Sequence, residues 1–293
     1  MYQQYNTGTA VAWPQGYRAA GMISVDVDTV TPMLWRERHS SSLSPAEVEQ
    51  RLFGIRQGVP RILSMLQETN LQAVFFVPSA VAELNPQMIR DIVSEGHEIG
   101  VHGYIHETLS EISSAESQEI LNRSLQTLTE LSGQKPVGYR SPSWNMSSYL
   151  PGQLRQLGIR YDSSLMGYEQ PYKVEELLEL PVSWYLDDAP HFIYLGDGND
   201  PHAPKDSQAV FEGWRRAVNG VKHYGGYFSI TVHPWIVGRM ERCRDFAEFL
   251  SWLANDPELW IQKGGDLAEY LDELRLPSTT LVETHAQILP AFK

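Results

Sequence analysis

The stretch Gly21–Asp28, which reads GMISVDVD, is an apolar run that ends in acidic residues. A run of this length bounded by polar residues predicts a buried strand. Side chains alternate along a strand, so Asp26 and Asp28 share one face while Val25 and Val27 point to the other. Two neighbouring buried carboxylates are costly without a positive charge beside them. A divalent metal would offset that cost, with one carboxylate as ligand and the other as general base. A helix-capping or salt-bridged pair explains this stretch equally well when it is considered alone.

Outside this stretch, short β-rich runs alternate with amphipathic segments, which predicts an α/β chain with mostly parallel strands. The further predicted strands are Leu71–Val77, Ile99–His102, Val137–Tyr139, Ile159–Tyr161, Leu180–Tyr185, Tyr227–Val232 and Trp260–Gln262. Capping boxes at Ser44 and Ser113 predict two helix starts. The first helix runs to about Thr69 with a break at Gly58 and Pro60, and the second runs to about Ser132. The other predicted helices are Pro86 to Gly96, Pro151–Leu157, Ser207–His223 and Arg244–Ala254.

This alternation amounts to about seven βα units, which favours an irregular or incomplete (β/α) barrel. We expect one catalytic domain over residues 1–293, with a core at about 21–274, an N-terminal arm at 1–20 and a C-terminal tail at 275–293.

Two histidines, His102 and His106, follow the predicted third strand with the spacing His–x–x–x–His. This spacing puts two imidazoles one helical turn apart, within reach of one zinc ion. Gly103 suggests that His102 ends the strand and that His106 lies on the opening turn of the next segment. Isolated histidines are more often ordinary core or surface residues, but the position at a strand end favours ligands. With Asp28 they would form a His₂-carboxylate set that leaves open positions, as catalytic metal sites do.

Another predicted strand ends in a histidine, in the stretch Ile230–Trp235. From that position His233 could protonate a leaving nitrogen, although a backbone hydrogen bond is the commoner role of such a residue. A metal site, the acid Asp26 to take a proton and His233 to give one are the parts of metal-assisted acyl hydrolysis.

At these residues the sequence resembles the polysaccharide deacetylase superfamily (carbohydrate esterase family four), whose domain is a distorted barrel of βα units. The resemblance implies a base at Asp26, an acid at His233 and the metal ligands Asp28, His102 and His106. The stretch Tyr139–Trp144, YRSPSW, resembles the third family motif, whose arginine, here Arg140, holds the base.

The stretch Glu179–Asp188, ELPVSWYLDD, resembles the subgroup of intracellular peptidoglycan-deacetylase-like proteins, cyclic imidases and allantoinase analogues. Members of that subgroup lack a secretion signal and commonly form tetramers, so the resemblance implies a homotetramer. Two features depart from the family pattern. Trp144 stands where sugar-active members usually have glycine, which would narrow the groove. The fourth motif is incomplete: Asp162 lies near its place, and Asp187 and Asp188 are alternatives, although acids in surface loops are more common.

The overall composition limits the possible binding partners and the cellular location of the protein. A net charge of −13 argues against nucleic acid and anionic membranes as partners. The single cysteine, Cys243, excludes an intrachain disulfide, and residues 1–16 do not resemble a secretory signal. These features indicate a cytoplasmic protein.

The sequence therefore predicts a metal-dependent hydrolase, with Zn²⁺ as the expected ion and a small cyclic imide or amide as the substrate. The alternatives are deacetylation of an N-acetylated sugar, oligosaccharide or peptidoglycan, and a non-catalytic metal- or ligand-binding protein. Co²⁺, Mn²⁺ or Fe²⁺ would also suit the ligand set. Trp144, Trp184 and Tyr104 are the predicted substrate-binding residues, and packing within the barrel or its loops is an equally good explanation for both tryptophans.

Overall fold

A computed structural model describes residues 11–196, 198–283 and 285–288, which contain ten strands. In chain order, β1 to β10 are Ala19–Asp26, Val74–Val77, Glu98–Val101, Gly138–Tyr139, Tyr161–Asp162, Tyr172–Val174, Leu177–Glu179, Tyr227–Val232, Leu259–Ile261 and Ser278–Thr279. They lie in one sheet in the order β10-β6-β7-β5-β4-β3-β2-β1-β8, and β9 pairs with β1. Among the described strands, the pair β6–β7 is antiparallel and the other pairs are parallel. The curled sheet with its helices confirms the predicted distorted (β/α) barrel.

The strand β1 lies at the centre of the site-bearing part of the sheet, and all eight of its residues are buried. It pairs with β8 over Ala20–Val25 and with β2 over Ser24–Asp26. Because these neighbours run parallel, their carboxyl ends meet at one edge of the sheet, where barrel enzymes carry their active sites. The residues that follow β1, β3, β4 and β8 are therefore brought to the same edge.

Helices cover the outer face of the sheet. In chain order, the described helices α1 to α13 are Thr31–Arg36, Pro45–Phe53, Val59–Thr69, Ser79–Leu84, Pro86–Ser94, Ser114–Ser132, Leu150–Gln156, Ala189–Phe192, Ser207–Tyr224, Pro234–Val237, Met240–Ala254, Gly264–Leu271 and His285–Ile288. A π-helical turn, Gly54–Gly58, joins α2 to α3 at the predicted break. No helix in the described ranges is both long and apolar enough to span a membrane.

The predicted helix starts are confirmed by their caps. Ser44 accepts a hydrogen bond from the Glu47 amide at the start of α2, but the predicted capping box is incomplete there, because the Glu47 carboxylate accepts from Arg36 and Arg51 instead. Ser113 and Glu116 form the complete capping box of α6. That helix ends at Gly133, whose φ of 72° is a left-handed conformation that glycine adopts without strain.

The predicted strand Leu180–Tyr185 is wrong. The strand β7 is Leu177–Glu179, and Trp184–Leu186 forms a 3₁₀ turn. Pro181 has no N–H to donate, and past it the Val182 amide still bonds the Leu165 carbonyl, but the chain turns into the 3₁₀ segment before a regular strand can form.

The two chain ends were predicted to be an arm and a tail. Part of that tail, Ser278–Thr279, pairs with β6 as the edge strand β10. Residues 1–10 and 289–293 lie outside the described residues, so the extent of the domain remains a prediction.

Candidate metal centre and active site

The predicted ligands Asp28, His102 and His106 lie together and are buried, and their candidate ligand atoms lie within 4.8 Å of one another. His102 Nε2 is 3.2 Å from Asp28 Oδ1, and His106 Nε2 is 3.5 Å from Asp28 Oδ2. Asp28 Oδ1 is buried and has no hydrogen-bond partner among the described residues. A buried carboxylate with one orphaned oxygen and an imidazole nitrogen close to each of its oxygens is the arrangement expected of ligands to one cation. The residues therefore fit a divalent metal.

The protonation of this group also suits metal binding. His102 Nδ1 lies 2.7 Å from the Arg140 carbonyl oxygen. Because a carbonyl oxygen only accepts, Nδ1 donates, so the neutral form of the ring, which a metal would bind, has its lone pair on Nε2 toward the site. Burial lowers the pKa of His106 to about 4, which keeps that imidazole neutral. Burial alone would raise the pKa of Asp28, but the neighbouring histidines lower it well below its ordinary value.

The loop that carries His106 is irregular, so the expected opening helical turn is wrong. Gly103 and His106 have φ values of 71° and 64°. The Glu107 carboxylate accepts hydrogen bonds from the amides of Tyr104 and Ile105, both at 2.9 Å. These amides are therefore held by a side chain rather than by helical carbonyls. A Cβ at Gly103 would lie 2.7 Å from Glu107 Oε2, so glycine is required where the loop folds over this carboxylate.

The predicted base Asp26 is held by Arg140, which is fully buried. Arg140 Nη1 donates to Asp26 Oδ1 at 2.8 Å and to Ser24 Oγ at 2.7 Å. Arg140 Nε donates to the Ser163 carbonyl at 2.8 Å, and Nη2 donates to Ser163 Oγ at 2.9 Å. The guanidinium therefore joins the base at the end of β1 to the segment that follows β5.

The predicted acid His233 is held by Asp188, which the sequence left as one of three alternatives. His233 Nδ1 lies 2.6 Å from Asp188 Oδ1, and the His233 amide donates to Asp188 Oδ2 at 2.9 Å. His233 Nε2 lies 3.5 Å from Asp28 Oδ2, so the other ring nitrogen faces the metal ligands. Burial alone would lower the pKa of His233, but the charges of Asp188 and Asp187 raise it well above its ordinary value. These charges favour the protonated ring, which can donate a proton.

Asp187 and Asp162 have other contacts. Asp187 Oδ1 lies 3.7 Å from His233 Nδ1 and accepts the Ala189 amide at 2.8 Å. Burial raises the pKa of Asp187 to about 7. Asp162 accepts a hydrogen bond from Ser164 Oγ at 2.6 Å and is not among the residues that contact His233.

The predicted substrate residues differ in their surroundings. The rings of Trp144 and Trp184 lie 4.0 Å apart between centroids, with Trp144 buried and Trp184 47% exposed. Trp144 and Ser143 both have a φ of 52°, which is unusual for two consecutive non-glycine residues. Tyr104 lies under the Arg123 guanidinium, 3.6 Å from its ring centroid, and its hydroxyl contacts Glu83. The two tryptophans thus pack against each other, while the Tyr104 side chain belongs to a separate charged cluster. The substrate roles of all three residues remain predictions.

Comparisons with known proteins agree with this site. The polysaccharide deacetylase family model matches residues 53–161, which include both candidate histidine ligands and Arg140. A peptidoglycan deacetylase of Helicobacter pylori is 27% identical over 245 residues, which cover 73% of this chain and 83% of that protein. The peptidoglycan deacetylase-like protein FGM2 of Gibberella zeae is 24% identical over 271 residues, which cover 79% of this chain and 80% of that protein.

Two solved structures also resemble this chain. A Mycobacterium smegmatis protein assigned to the polysaccharide deacetylases is 33% identical, with a TM-score of 0.89 over 94% of this chain and 98% of that one. The structure of Puue Allantoinase superimposes with a TM-score of 0.80 over 91% of this chain and 94% of that one. Its sequence identity is 20%, so this second likeness concerns the fold alone.

Proposed function

We propose that this chain, which belongs to the polysaccharide deacetylase family, is a metal-dependent hydrolase of a carbon–nitrogen bond other than a peptide bond. The observation that carries the proposal is the meeting of three buried units at one edge of the sheet. These units are the metal-ligand set, the base held by arginine and the acid held by aspartate, and they consist of Asp28, His102, His106, Asp26, Arg140, His233 and Asp188.

Zn²⁺ held by Asp28, His102 and His106 would supply Lewis-acid polarisation of the substrate carbonyl. The protein side chains would move the protons. Asp26, oriented by Arg140, would accept the proton of the attacking water. His233, oriented by Asp188, would give a proton to the departing nitrogen. Base and acid are thus fixed by separate partners before substrate binds, which reduces the cost of orienting them during the reaction.

For the substrate, we propose a small cyclic imide or amide that is opened by hydrolysis. The contact between the Trp144 and Trp184 rings supports this choice, because Trp144 stands where the sugar-active members that the chain resembles usually have glycine, and a large indole held there would narrow the groove. The second candidate is deacetylation of an N-acetylated sugar or peptidoglycan. It is favoured by the similarity to the Helicobacter pylori peptidoglycan deacetylase over 83% of that protein.

The test is an assay of the purified zinc-loaded protein against succinimide, hydantoin, allantoin and N-acetylglucosamine oligomers, with a chelator control. We expect chelator-sensitive ring opening. Acetate release from the sugars alone would support the second candidate and overturn the first. An Asp26→Asn variant is expected to lose activity, because its side chain cannot accept the proton of the attacking water. Full activity in that variant would exclude Asp26 as the base, and turnover of none of the substrates by wild type would favour a non-catalytic binding protein.

We also propose that the protein is a cytoplasmic homotetramer that binds neither nucleic acid nor membranes. The net charge of −13 supports the absence of anionic partners. A monomeric mass by light scattering at micromolar concentration would contradict the tetramer, and recovery of the native protein from the culture medium would contradict the location.

A further inference from the structure

A second pair of acids, Asp162 and Glu179, lies side by side below the active site. Asp162 ends β5 and Glu179 ends β7, and the two residues are register partners in these parallel strands. Both are almost fully buried, with 2% and 1% of their surface exposed. Asp162 was one of the three alternatives for holding His233 and Glu179 was not predicted as a site residue, and neither belongs to the metal, base or acid units described above.

The two carboxyl groups are placed to share one proton. Two adjacent buried carboxylates cannot both be ionised without a large electrostatic cost. No described residue donates a hydrogen bond to Glu179 Oε2. Burial, together with the charge of Asp162, raises the pKa of Glu179 well above its ordinary value of 4.5. Burial raises the pKa of Asp162 too, so a single proton carried on Glu179 Oε2 and donated to Asp162 would relieve both groups.

The other oxygen of Glu179 holds a turn of the backbone. Glu179 Oε1 accepts hydrogen bonds from the amides of Ser164 and Leu165, both at 2.9 Å. Asp162 Oδ1 accepts from Ser164 Oγ at 2.6 Å, and Ser164 Oγ in turn accepts from the Ser141 amide at 2.8 Å. The pair thus fixes the turn after β5 and ties it to the residue that follows Arg140.

That turn holds the arginine of the base. The carbonyl and the hydroxyl of Ser163 accept from Arg140 Nε and Nη2, at 2.8 and 2.9 Å. Nη1 of the same guanidinium reaches Asp26 Oδ1. A path of hydrogen bonds and the Ser163–Ser164 peptide group therefore leads from Glu179 to the base through buried residues, where such bonds are stronger than in water.

We propose that Glu179 and Asp162, joined through one proton, are positioning residues that set the Ser163–Ser164 turn and, through it, the place of Arg140 and Asp26. The catalytic part of this statement rests on the hydrolase function proposed above. The shared proton does not rest on it, and the two parts can be tested separately.

Activity tests the positioning role. Glu179→Gln keeps an acceptor for the two amides and a donor for Asp162, so kcat should stay close to wild type near neutral pH. Glu179→Ala removes both and should lower kcat by about 10²-fold with KM little changed, since small displacements of a catalytic group cost this much. Glu269→Gln, which changes an exposed acid, is the matched control.

The pH profile tests the shared proton. The charged and titratable groups that face the pair are Arg140, Tyr139, Tyr172 and Tyr227. In wild type the pair loses its proton as the pH rises, and the resulting second buried charge should displace the turn and lower kcat. Glu179→Gln cannot lose that proton, so its alkaline fall in kcat should be smaller than that of wild type and limited to the fall caused by deprotonation of His233.

Thermal unfolding tests whether Asp162 and Glu179 share a proton, and it needs no substrate. A carboxyl group whose pKa is raised by folding contributes stability below the ordinary pKa, and this contribution is lost as the pH rises through the raised pKa. Wild type and Glu269→Gln should therefore lose melting temperature toward alkaline pH relative to Glu179→Gln. If wild type turns over no substrate, the proposed function fails while this series still decides the shared proton. An alkaline fall of equal size in Glu179→Gln, or a kcat as low as that of Glu179→Ala, would overturn the proposal.

Discussion

Replacing Asp188 by asparagine is expected to disable His233 while leaving the metal ligands in place. Asp188 accepts two hydrogen bonds from His233, one from the ring and one from the backbone amide. Asparagine has one acceptor oxygen and one donor nitrogen, so one of the two histidine donors must face an NH₂ group. The variant therefore loses the bond to the ring or forces the ring into its other tautomer.

The size of the loss follows from the hydrogen bond removed. A hydrogen bond to a charged group contributes about 1.5–3 kcal/mol, and about 1.4 kcal/mol corresponds to a tenfold change in rate. Loss of the ring bond alone should thus lower kcat by about 10- to 10²-fold, and a reversed tautomer extends the loss to about 10⁴-fold. KM should change little, because the affected contact belongs to proton transfer.

The assay is steady-state hydrolysis of the best substrate, with the metal content of each variant measured in parallel. Asp187→Asn is the matched control, because the Asp187 carboxylate lies 3.7 Å from the same ring nitrogen, beyond hydrogen-bond distance. We expect a smaller loss in this control. Wild-type kcat in Asp188→Asn, or an equal loss in Asp187→Asn, would refute the reasoning.

Three further predictions concern packing, the metal and the two tryptophans. Gly58→Ala would place a Cβ 2.1 Å from the Pro234 carbonyl oxygen, so thermal melts should show a loss of about 1–3 kcal/mol, whereas Gly220→Ala meets open space and should not destabilise the protein. A chelator should abolish activity and lower the melting temperature, and Zn²⁺ should restore both; full activity in metal-free protein would contradict this. Trp184→Ala should raise KM by about 2- to 10-fold because it removes the ring stacked on Trp144, and an unchanged KM would show that the ring does not bind substrate.

Much of the fold could be predicted because local sequence and tertiary environment agree. The strand β8 has the predicted bounds Tyr227–Val232, and α6 has its predicted cap and stop. The short strands β6 and β10, of three and two residues, carry too few side chains to show a period, so the sequence did not reveal them.

The sequence predicts those site residues that directly follow the ends of strands. Parallel strands bring their carboxyl ends to one edge, so residues that follow several strands meet without further information. The loop between His102 and His106 could not be predicted this way. Its path depends on the Glu107 carboxylate, which accepts hydrogen bonds from two backbone amides that would otherwise bond within a helix.

The choice between Asp187 and Asp188 shows where sequence reasoning stops. Both precede Ala189–Pro190, and an acid before such a helix start is ordinarily a cap. In the structure Asp187 bonds the Ala189 amide, while Asp188, at the N-cap position of α8, makes no capping bond with its side chain. A bridge between Asp187 and Thr231, and the bond from the Asp188 amide to the Thr231 carbonyl, align this turn with the end of β8. The Asp188 carboxylate therefore holds His233 instead of the helix, so its loss should reduce kcat far more than it reduces the stability of α8.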